Sequence, residues 1–228
     1  MTSRRVVLDN DACAHAEGDW MEFYLTYEGP LNATQRDPRD GEKARHLPNK
    51  RAMRRHFHEQ LRELWKVLPA LQKERVGELV IELDDGTAIE WLTKEDELAA
   101  HHAHYGFNFV PLVTQQLDLL CGLEILMLRP DRPGTKPWAG DIDNRLKTLL
   151  DALRIPEAAE CYADTPPAED ETPFFVLLED DKLLTKVSVE TDRLLSPVSD
   201  PARSDDVRVV IKVSVRPYSL HLWNIHLG

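Results

Sequence analysis

Apolar and polar residues alternate along several stretches of the chain, and this period of two predicts β-strands with one buried face. The stretches with this pattern are residues 21–27, 79–83, 87–91, 115–128, 183–191 and 207–215. Asp85 and Gly86 lie between the second and third stretches, which predicts a β-hairpin. The stretch 115–128 becomes apolar on both faces at its end, so we expect it to be the central strand of a sheet.

Two other segments repeat their apolar residues with the period of an α-helix. The first follows Asn49, a potential N-cap, and its apolar stripe comprises Met53, Phe57, Leu61, Leu64, Trp65 and Leu68. The second lies between Gly140 and Pro156 and carries Leu146, Leu149, Leu150 and Leu153. We therefore predict an α+β fold in which one mixed sheet packs against two main helices.

We expect residues 1–19 to form a flexible arm, and residues 77–105 and 157–173 to be insertions into a single domain of residues 20–228. A hydrophobic fraction of 42% is sufficient for a packed core. No apolar stretch is long enough to cross a membrane, and the first residues lack the pattern of a signal peptide. The cysteines, which are odd in number and too far apart to indicate a disulfide framework, are Cys13, Cys121 and Cys161. These features predict a cytoplasmic protein with no membrane partner.

The net charge of −12 argues against a protein whose whole surface binds DNA, so contact with phosphates requires a local basic patch. Residues 36–75 provide one, with 12 Lys and Arg against 6 Asp and Glu. The candidate phosphate ligands are Arg51, Arg54, Arg55, Arg62 and Lys66 in the helix, and Arg132 and Lys136 in the loop between the stretch 115–128 and the second helix. A helix face that is simply solvated is the alternative interpretation. Residues 157–181 hold nine acids and no Lys or Arg, and we expect most of this stretch to be a flexible loop.

Two aspartates, Asp141 and Asp143, precede the second helix, and Asp143 occupies the expected N-cap position. Like charges at ~4 Å repel by about 4 kcal/mol at an effective dielectric constant of about 20, and a bound cation would relieve this repulsion. Lys147 follows Asp143 by one turn on nearly the same side of the helix, where an ion pair with Asp143 or Asp151 is the structural alternative. A third carboxylate from the Asp180–Asp181 pair would complete an oxygen site suited to Mg²⁺, with Mn²⁺ as a substitute.

The motif D-x-D-N-x-x-K-x-x-x-D-A-L in residues 141–153, followed by Asp-Asp before a strand, resembles the RusA-like Holliday-junction resolvases. The resemblance implies an α+β fold with a mixed sheet, a homodimer, and Mg²⁺-dependent symmetric cleavage of four-way DNA junctions. It also implies that Asp141, Asp143 and Asp181 hold the metal ion and that Lys147 is catalytic. Asp180 is the alternative to Asp181 as the third ligand, and the order of residues in the family favours Asp181.

These observations predict a Mg²⁺-dependent endonuclease that hydrolyses phosphodiester bonds of branched DNA in recombination and repair. The alternatives are a non-catalytic or regulatory nucleic-acid-binding protein on the same scaffold, and a carboxylate site that acts on another phosphate ester. A second candidate metal site is the cluster of His101, His102 and His104, for which a polar loop is the alternative interpretation.

Overall fold

The computed structural model describes residues 21–31, 40–68, 71, 75–83, 86–130, 142–157, 166–195, 206–221 and 224. These residues have an α+β fold, which agrees with the predicted class. Its elements in chain order are β1 (Met21–Pro30), α1 (Asp40–Val67), β2 (Arg75–Leu83), β3 (Gly86–Thr93), α2 (Lys94–His101), β4 (Ala103–His104), β5 (Phe107–Val113), β6 (Leu119–Arg129), α3 (Ile142–Leu153), β7 (Phe174–Leu178), β8 (Leu184–Arg193) and β9 (Asp206–Pro217). Short 3₁₀ helices at Glu169–Glu171 and Asp181–Leu183 flank β7. Within these ranges, no helix is both long and apolar enough to cross a lipid bilayer.

The largest sheet has four strands in the order β1-β9-β6-β8. β9 pairs antiparallel with β1 and β6, whereas β8 pairs parallel with β6. β6 therefore lies inside the sheet, which confirms the prediction of a central strand for this apolar stretch. The predicted hairpin is also confirmed, because β2 pairs antiparallel with β3; its expected turn residue Asp85 lies outside the described residues.

The expectation of one sheet is wrong, because β4, β5 and β7 form a separate three-stranded sheet. In that sheet β4 and β5 are antiparallel, and β5 and β7 are parallel. All five side chains of β7 are buried, so its continuous apolar run is explained by burial on both faces. The backbone N–H of Glu179, just after β7, donates to the carbonyl oxygen of Val113 at 2.9 Å, which places the ends of β5 and β7 together.

One hydrophobic core joins the inner face of the large sheet to the apolar sides of α1 and α3. Alternate residues of β6 face this core, namely Leu119, Cys121, Leu123, Ile125 and Met127. The helix α1 contributes the buried side chains of Met53, Phe57, Leu61 and Trp65. Each large apolar side chain that is fully buried contributes roughly 1.5–3 kcal/mol relative to an exposed one. The periods of two and 3.6 residues in the sequence therefore identified the residues of β6 and α1 that enter the core.

Several boundaries differ from the sequence predictions. The helix α1 begins at Asp40, so Asn49 lies inside it and is not its N-cap. Residues 115–118 form a turn before β6, and the N–H of Leu119 donates to the carbonyl oxygen of Thr114 at 3.3 Å. The charged residues 94–101, whose apolar pattern predicts no element, form α2, and a capping box stabilises its N-terminus. In that box the N–H of Asp96 donates to the Thr93 hydroxyl (3.2 Å) and the N–H of Thr93 donates to the Asp96 carboxylate (2.9 Å).

Candidate functional site

The helix α3 has one apolar side and one exposed side that carries the candidate catalytic residues. Leu149 and Leu153 are buried in the core. Asp143 and Lys147 are exposed and lie one helical turn apart. Because α3 begins at Ile142, Asp143 lies inside the first turn and not at the expected N-cap, although the positive end of the helix still favours its carboxylate.

The side chains of Asp143 and Lys147 do not form an ion pair with each other. Among the described residues, no ion pair joins Lys147 to Asp143 or to Asp151, so the structural alternative for Lys147 is absent here. A separation of one turn would allow such a pair, but an exposed pair of this kind contributes only about 0.3–0.5 kcal/mol. The carboxylate and the ammonium group are therefore both accessible to a ligand that approaches the exposed side of α3.

Asp151, in the D-A-L part of the motif, has a structural role. One of its carboxylate oxygens lies 2.8 Å from Nζ of Lys50, and the other lies 3.2 Å from Nη2 of Arg154. Nη2 of Arg54 donates to the Asp151 carbonyl oxygen at 2.6 Å. All four residues are at most 9% exposed, so this network links α1 to the C-terminal part of α3 inside the protein. Asp151 thus pairs with residues of α1 and with Arg154, and not with Lys147.

Contacts at its two ends determine how α3 lies on the sheet. Near its N-terminus, Nη1 of Arg145 donates to the carbonyl oxygen of Leu31, which directly follows β1 (2.7 Å). Just beyond its C-terminus, Arg154 forms a β-bridge with Leu178, the last residue of β7. In the large sheet, the last residues of β1 lie at the same level as the last residues of β6, so the N-terminus of α3 is near the end of β6. Leu178 pairs with Val113, which shortly precedes β6, so the C-terminus of α3 is near the start of β6. The helix therefore runs from the end of β6 towards its start.

The Asp180–Asp181 pair lies near the start of β6. Asp180 caps the 3₁₀ helix Asp181–Leu183, and its Oδ1 accepts the N–H of Lys182 at 2.9 Å. This backbone hydrogen bond lowers the pKa of Asp180 below its ordinary value. Asp181 is exposed, and three residues later Leu184 pairs with Cys121 in β6.

The predicted association of Asp143 with Asp181 is therefore not found. Asp143 lies in the first turn of α3, and Asp181 follows Leu178, which pairs with Arg154 beyond the last turn. Arg154 follows Asp143 by eleven positions, and the helical residues between them extend over roughly 16 Å along the axis. In the ranges that the structure covers, no group of three His, Cys, Asp or Glu side chains could hold a metal ion. Asp141, the other expected ligand, lies outside the described residues.

The predicted basic face of α1 is largely engaged by the protein itself. Arg54 is only 2% exposed, so the expectation that it lies on a phosphate-binding surface is wrong. Arg55 forms an ion pair with Glu171, and Arg62 donates to the carbonyl oxygen of Asp170 at 3.1 Å. The remaining predicted ligands differ in position: Lys66 is exposed and pairs with Glu63 at 2.7 Å, Arg51 is half-buried, and Arg132 and Lys136 lie outside the described residues.

Part of the acidic stretch that was expected to be flexible is packed against α1. Nε2 of His58 donates to the Asp170 carbonyl oxygen (2.9 Å), and its Nδ1 accepts the N–H of Phe175 (2.9 Å). The His58 ring also stacks on Phe174, with ring centroids 4.5 Å apart. Burial lowers the pKa of His58 below its ordinary value, as suits a neutral ring with one donor and one acceptor nitrogen.

Glu171 joins the acidic segment to α1 through an ion pair with Arg55. Its side chain is buried, and its carboxylate accepts from Arg55 and from the N–H of Ala168 at 2.9 Å. Burial alone would raise the pKa of Glu171, but these hydrogen bonds and the charge of Arg55 lower it below its ordinary value. Beside the segment is a cleft of about 380 Å³, with both cations and acids in its lining, which includes Arg62, Trp65, Lys66, Glu95, Glu169 and Asp170.

The three histidines of the H-H-x-H cluster do not converge. His101 ends α2, His102 follows it, and His104 lies in β4. The rings of His101 and His102 are perpendicular with centroids 4.8 Å apart, whereas His104 contacts Tyr105. Burial lowers the pKa of His102 below its ordinary value. These residues are all within the described part of the chain, and they are not among groups able to hold a metal ion there.

Comparisons with known protein families and with curated proteins found no match to this chain. The resemblance to RusA-like resolvases therefore stays a prediction, which depends on the motif in residues 141–153 and the later Asp pair. The contacts between α1 and the acidic segment were not predicted. Their signal was present in the sequence, as the excess of Lys and Arg in residues 36–75 and the nine acids of residues 157–181.

Proposed function

We propose that the chain is a Mg²⁺-dependent endodeoxyribonuclease that cuts branched DNA, as the motif in residues 141–153 suggests. The observation that supports this proposal is that some residues of the motif are exposed on α3 and others are buried. Asp143 and Lys147 are exposed and make no ion pair with a described residue, whereas Asp151 and Leu153 are buried in the protein. A helix that needed Asp143 and Lys147 only for its own stability would gain from pairing them.

The donor set proposed for Mg²⁺ is Asp143 together with Asp141, which is two residues earlier in the sequence. Mg²⁺ is commonly bound by one or two carboxylates together with substrate phosphates, so this set does not require Asp181. When bound, the metal ion would neutralise phosphate charge and orient a water molecule for hydrolysis. Lys147, one turn away on the same side, would hold the phosphodiester and stabilise the negative charge that develops on it.

Phosphate contacts outside this site would come from exposed cations of α1. Lys66 is more than half exposed and its partner Glu63 is also exposed, so a phosphate can replace that weak pair. Arg132 and Lys136, which precede the Asp motif in the sequence, are the other proposed contacts. We further propose that the protein acts as a homodimer on recombination and repair intermediates in the cytoplasm. Because these cations would displace counterions from the phosphates, DNA binding should weaken as the salt concentration rises, and the net charge of −12 restricts the contact to local basic groups.

The placement of Asp181 favours a second candidate, a non-catalytic nucleic-acid-binding protein with a silent site. Asp143 and Asp181 lie towards opposite ends of α3, so they would not bind one metal ion together. A protein without catalytic activity would not need these carboxylates to meet. This candidate predicts that calorimetry detects no binding of Mg²⁺ or Mn²⁺ to the protein, while DNA is still retained. The nuclease proposal predicts metal binding that is weakened by Asp143→Asn.

The test of the function is a panel of labelled substrates that contains a four-way DNA junction, linear duplex DNA and an RNA hairpin. With Mg²⁺ we expect cleavage of the junction in preference to the duplex, and no cleavage with EDTA. Preferential cleavage of the RNA would show that the substrate is RNA and not branched DNA. No cleavage of any substrate with Mg²⁺ or Mn²⁺ would contradict the nuclease proposal and support the silent-site candidate.

A further inference from the structure

Among the described strands, β8 lies at one edge of the large sheet. It is ten residues long and pairs only with β6 among the described strands. The N–H of Leu194, just after β8, donates to the carbonyl oxygen of Arg129 at 2.7 Å. Because N–H groups alternate in direction along a strand, the even-numbered residues of β8 bond to β6 and the odd-numbered ones point outwards. A long edge of this kind is a ready surface for another strand.

The side chains of β8 are also more exposed than those of the other strands in this sheet. Val187 lies on the core side of the sheet but is 40% exposed, and Val189 beside it is only partly buried. On the opposite face, Lys186 and Glu190 are exposed. Lys186 pairs with Glu124 at 2.6 Å, but both side chains are at least half exposed, so the pair is weak and easily exchanged.

We propose that a second copy of this chain pairs with β8, antiparallel and about a two-fold axis through Ser188. This register is self-complementary in sequence. It sets Lys186 opposite Glu190 of the second copy and Val187 opposite Val189, each pair occurring twice. All of these pairs join residues of the same parity, so polar residues meet on one face and the valines meet on the core face.

The direction of the backbone groups fits the same register. The outward N–H and C=O groups belong to odd-numbered residues, so Val187 and Val189 of the two copies would form hydrogen-bonded pairs. Lys186 and Glu190 would then form non-hydrogen-bonded pairs, in which facing side chains approach most closely. The product is one continuous sheet of eight strands across two copies of the four-stranded sheet. The favoured occupant of this edge is therefore an identical chain, whose charges match it.

The test is sedimentation equilibrium of the full chain without DNA, with the variants Lys186→Glu, Glu190→Lys and the double charge swap. Each single variant puts like charges opposite each other twice, and we expect the dissociation constant of the dimer to rise about tenfold. The double swap should restore the wild-type constant. Glu28→Lys, which removes an ion pair with Arg208 at the opposite edge of the sheet, is the matched control and should leave the constant unchanged.

A second variant tests the backbone pairing. Val189→Pro removes an outward N–H and leaves the ladder with β6 intact, so the folded monomer should persist while the dimer is lost. Circular dichroism checks that each variant is folded. A wild-type chain that stays monomeric at every concentration would overturn the proposal, as would a dimer that the single charge variants do not weaken. Because no DNA or metal ion is present, the outcome is independent of the proposed nuclease activity.

Discussion

Lys50 in α1 and Asp151 in α3 form a buried ion pair, with Nζ 2.8 Å from Oδ2. Arg54 donates to the Asp151 carbonyl oxygen, and Arg154 donates to its carboxylate. Asp151 is therefore bound by cations of α1 and by the cation that follows α3. These contacts tie the long basic helix to the helix that carries Asp143 and Lys147. Buried contacts thus hold α3 against α1, and several consequences can be measured.

Removing the buried carboxylate should strongly destabilise the protein. Asp151→Ala leaves Lys50 and Arg154 without this partner inside the protein, and we expect the free energy of unfolding to fall by roughly 3 kcal/mol. The matched control is Glu63→Gln, which removes an exposed partner of Lys66 and should cost less than about 1 kcal/mol. Urea unfolding measures both. Equal small losses in the two variants would show that the Asp151 network is not buried in solution.

Stability should fall as the solution becomes more acidic, in part because of His58. Burial lowers the pKa of His58 below 6.5, so on acidification the unfolded chain takes up a proton before the folded chain does. The stability contributed by the neutral ring is therefore complete above about pH 6.5 and is lost as the pH falls towards the lowered pKa. Thermal melting between about pH 7.5 and pH 5 measures this slope.

His58→Asn should reduce that slope. Some slope should remain in His58→Asn because burial also lowers the pKa of His102. Identical slopes in the wild type and His58→Asn would contradict the role given to the contacts of His58 with Asp170 and Phe175.

Cys121 should be unreactive in the folded protein. Its side chain is fully buried in β6, and burial raises the pKa of the thiol to about 12. Since the thiolate is the reactive form, we expect no alkylation of Cys121 by iodoacetamide at about pH 8, and complete alkylation in concentrated guanidinium chloride. Mass spectrometry of the peptide that contains Cys121 reports the result. Rapid alkylation without denaturant would contradict its place in the core.

Asp181 should be dispensable for cleavage, because it lies towards the other end of α3 from Asp143. We expect Asp181→Asn to cut a four-way junction at the wild-type rate. The variant should also remain stable, since Asp181 is exposed and it is Asp180 that caps the following 3₁₀ helix. A loss of cleavage as large as that in Asp143→Asn would mean that the two ends come together when DNA binds.

The periodic parts of the sequence predicted the fold well, because burial imposes those periods directly. The core residues of β6 and the leucines of α3 are examples. The apolar pattern does not predict the helix α2, because the capping box at Thr93 and Asp96 that stabilises it consists of polar residues. The strand β5 contains Pro111 within an apolar run, which hides it from a search for alternation.

For the candidate site, sequence reasoning could identify residue types and spacing but not distances across the fold. Asp143 and Lys147 lie within one turn of one helix, and their common exposed side follows from helix geometry alone. The position of Asp181 depends on how β7 pairs with β5 and on the bridge between Arg154 and Leu178, which are contacts between distant parts of the chain. The burial of Arg54 likewise depends on where α3 packs.

The most direct test of the nuclease proposal is the rate at which Asp143→Asn cleaves a labelled four-way junction with Mg²⁺, with junction binding measured on the same samples. Glu59→Gln, at an exposed acid on α1, is the control. We expect binding to be retained in both variants, and the cleavage rate to fall by about a hundredfold or more only in Asp143→Asn. Equal cleavage by Asp143→Asn and the wild type would contradict the proposal.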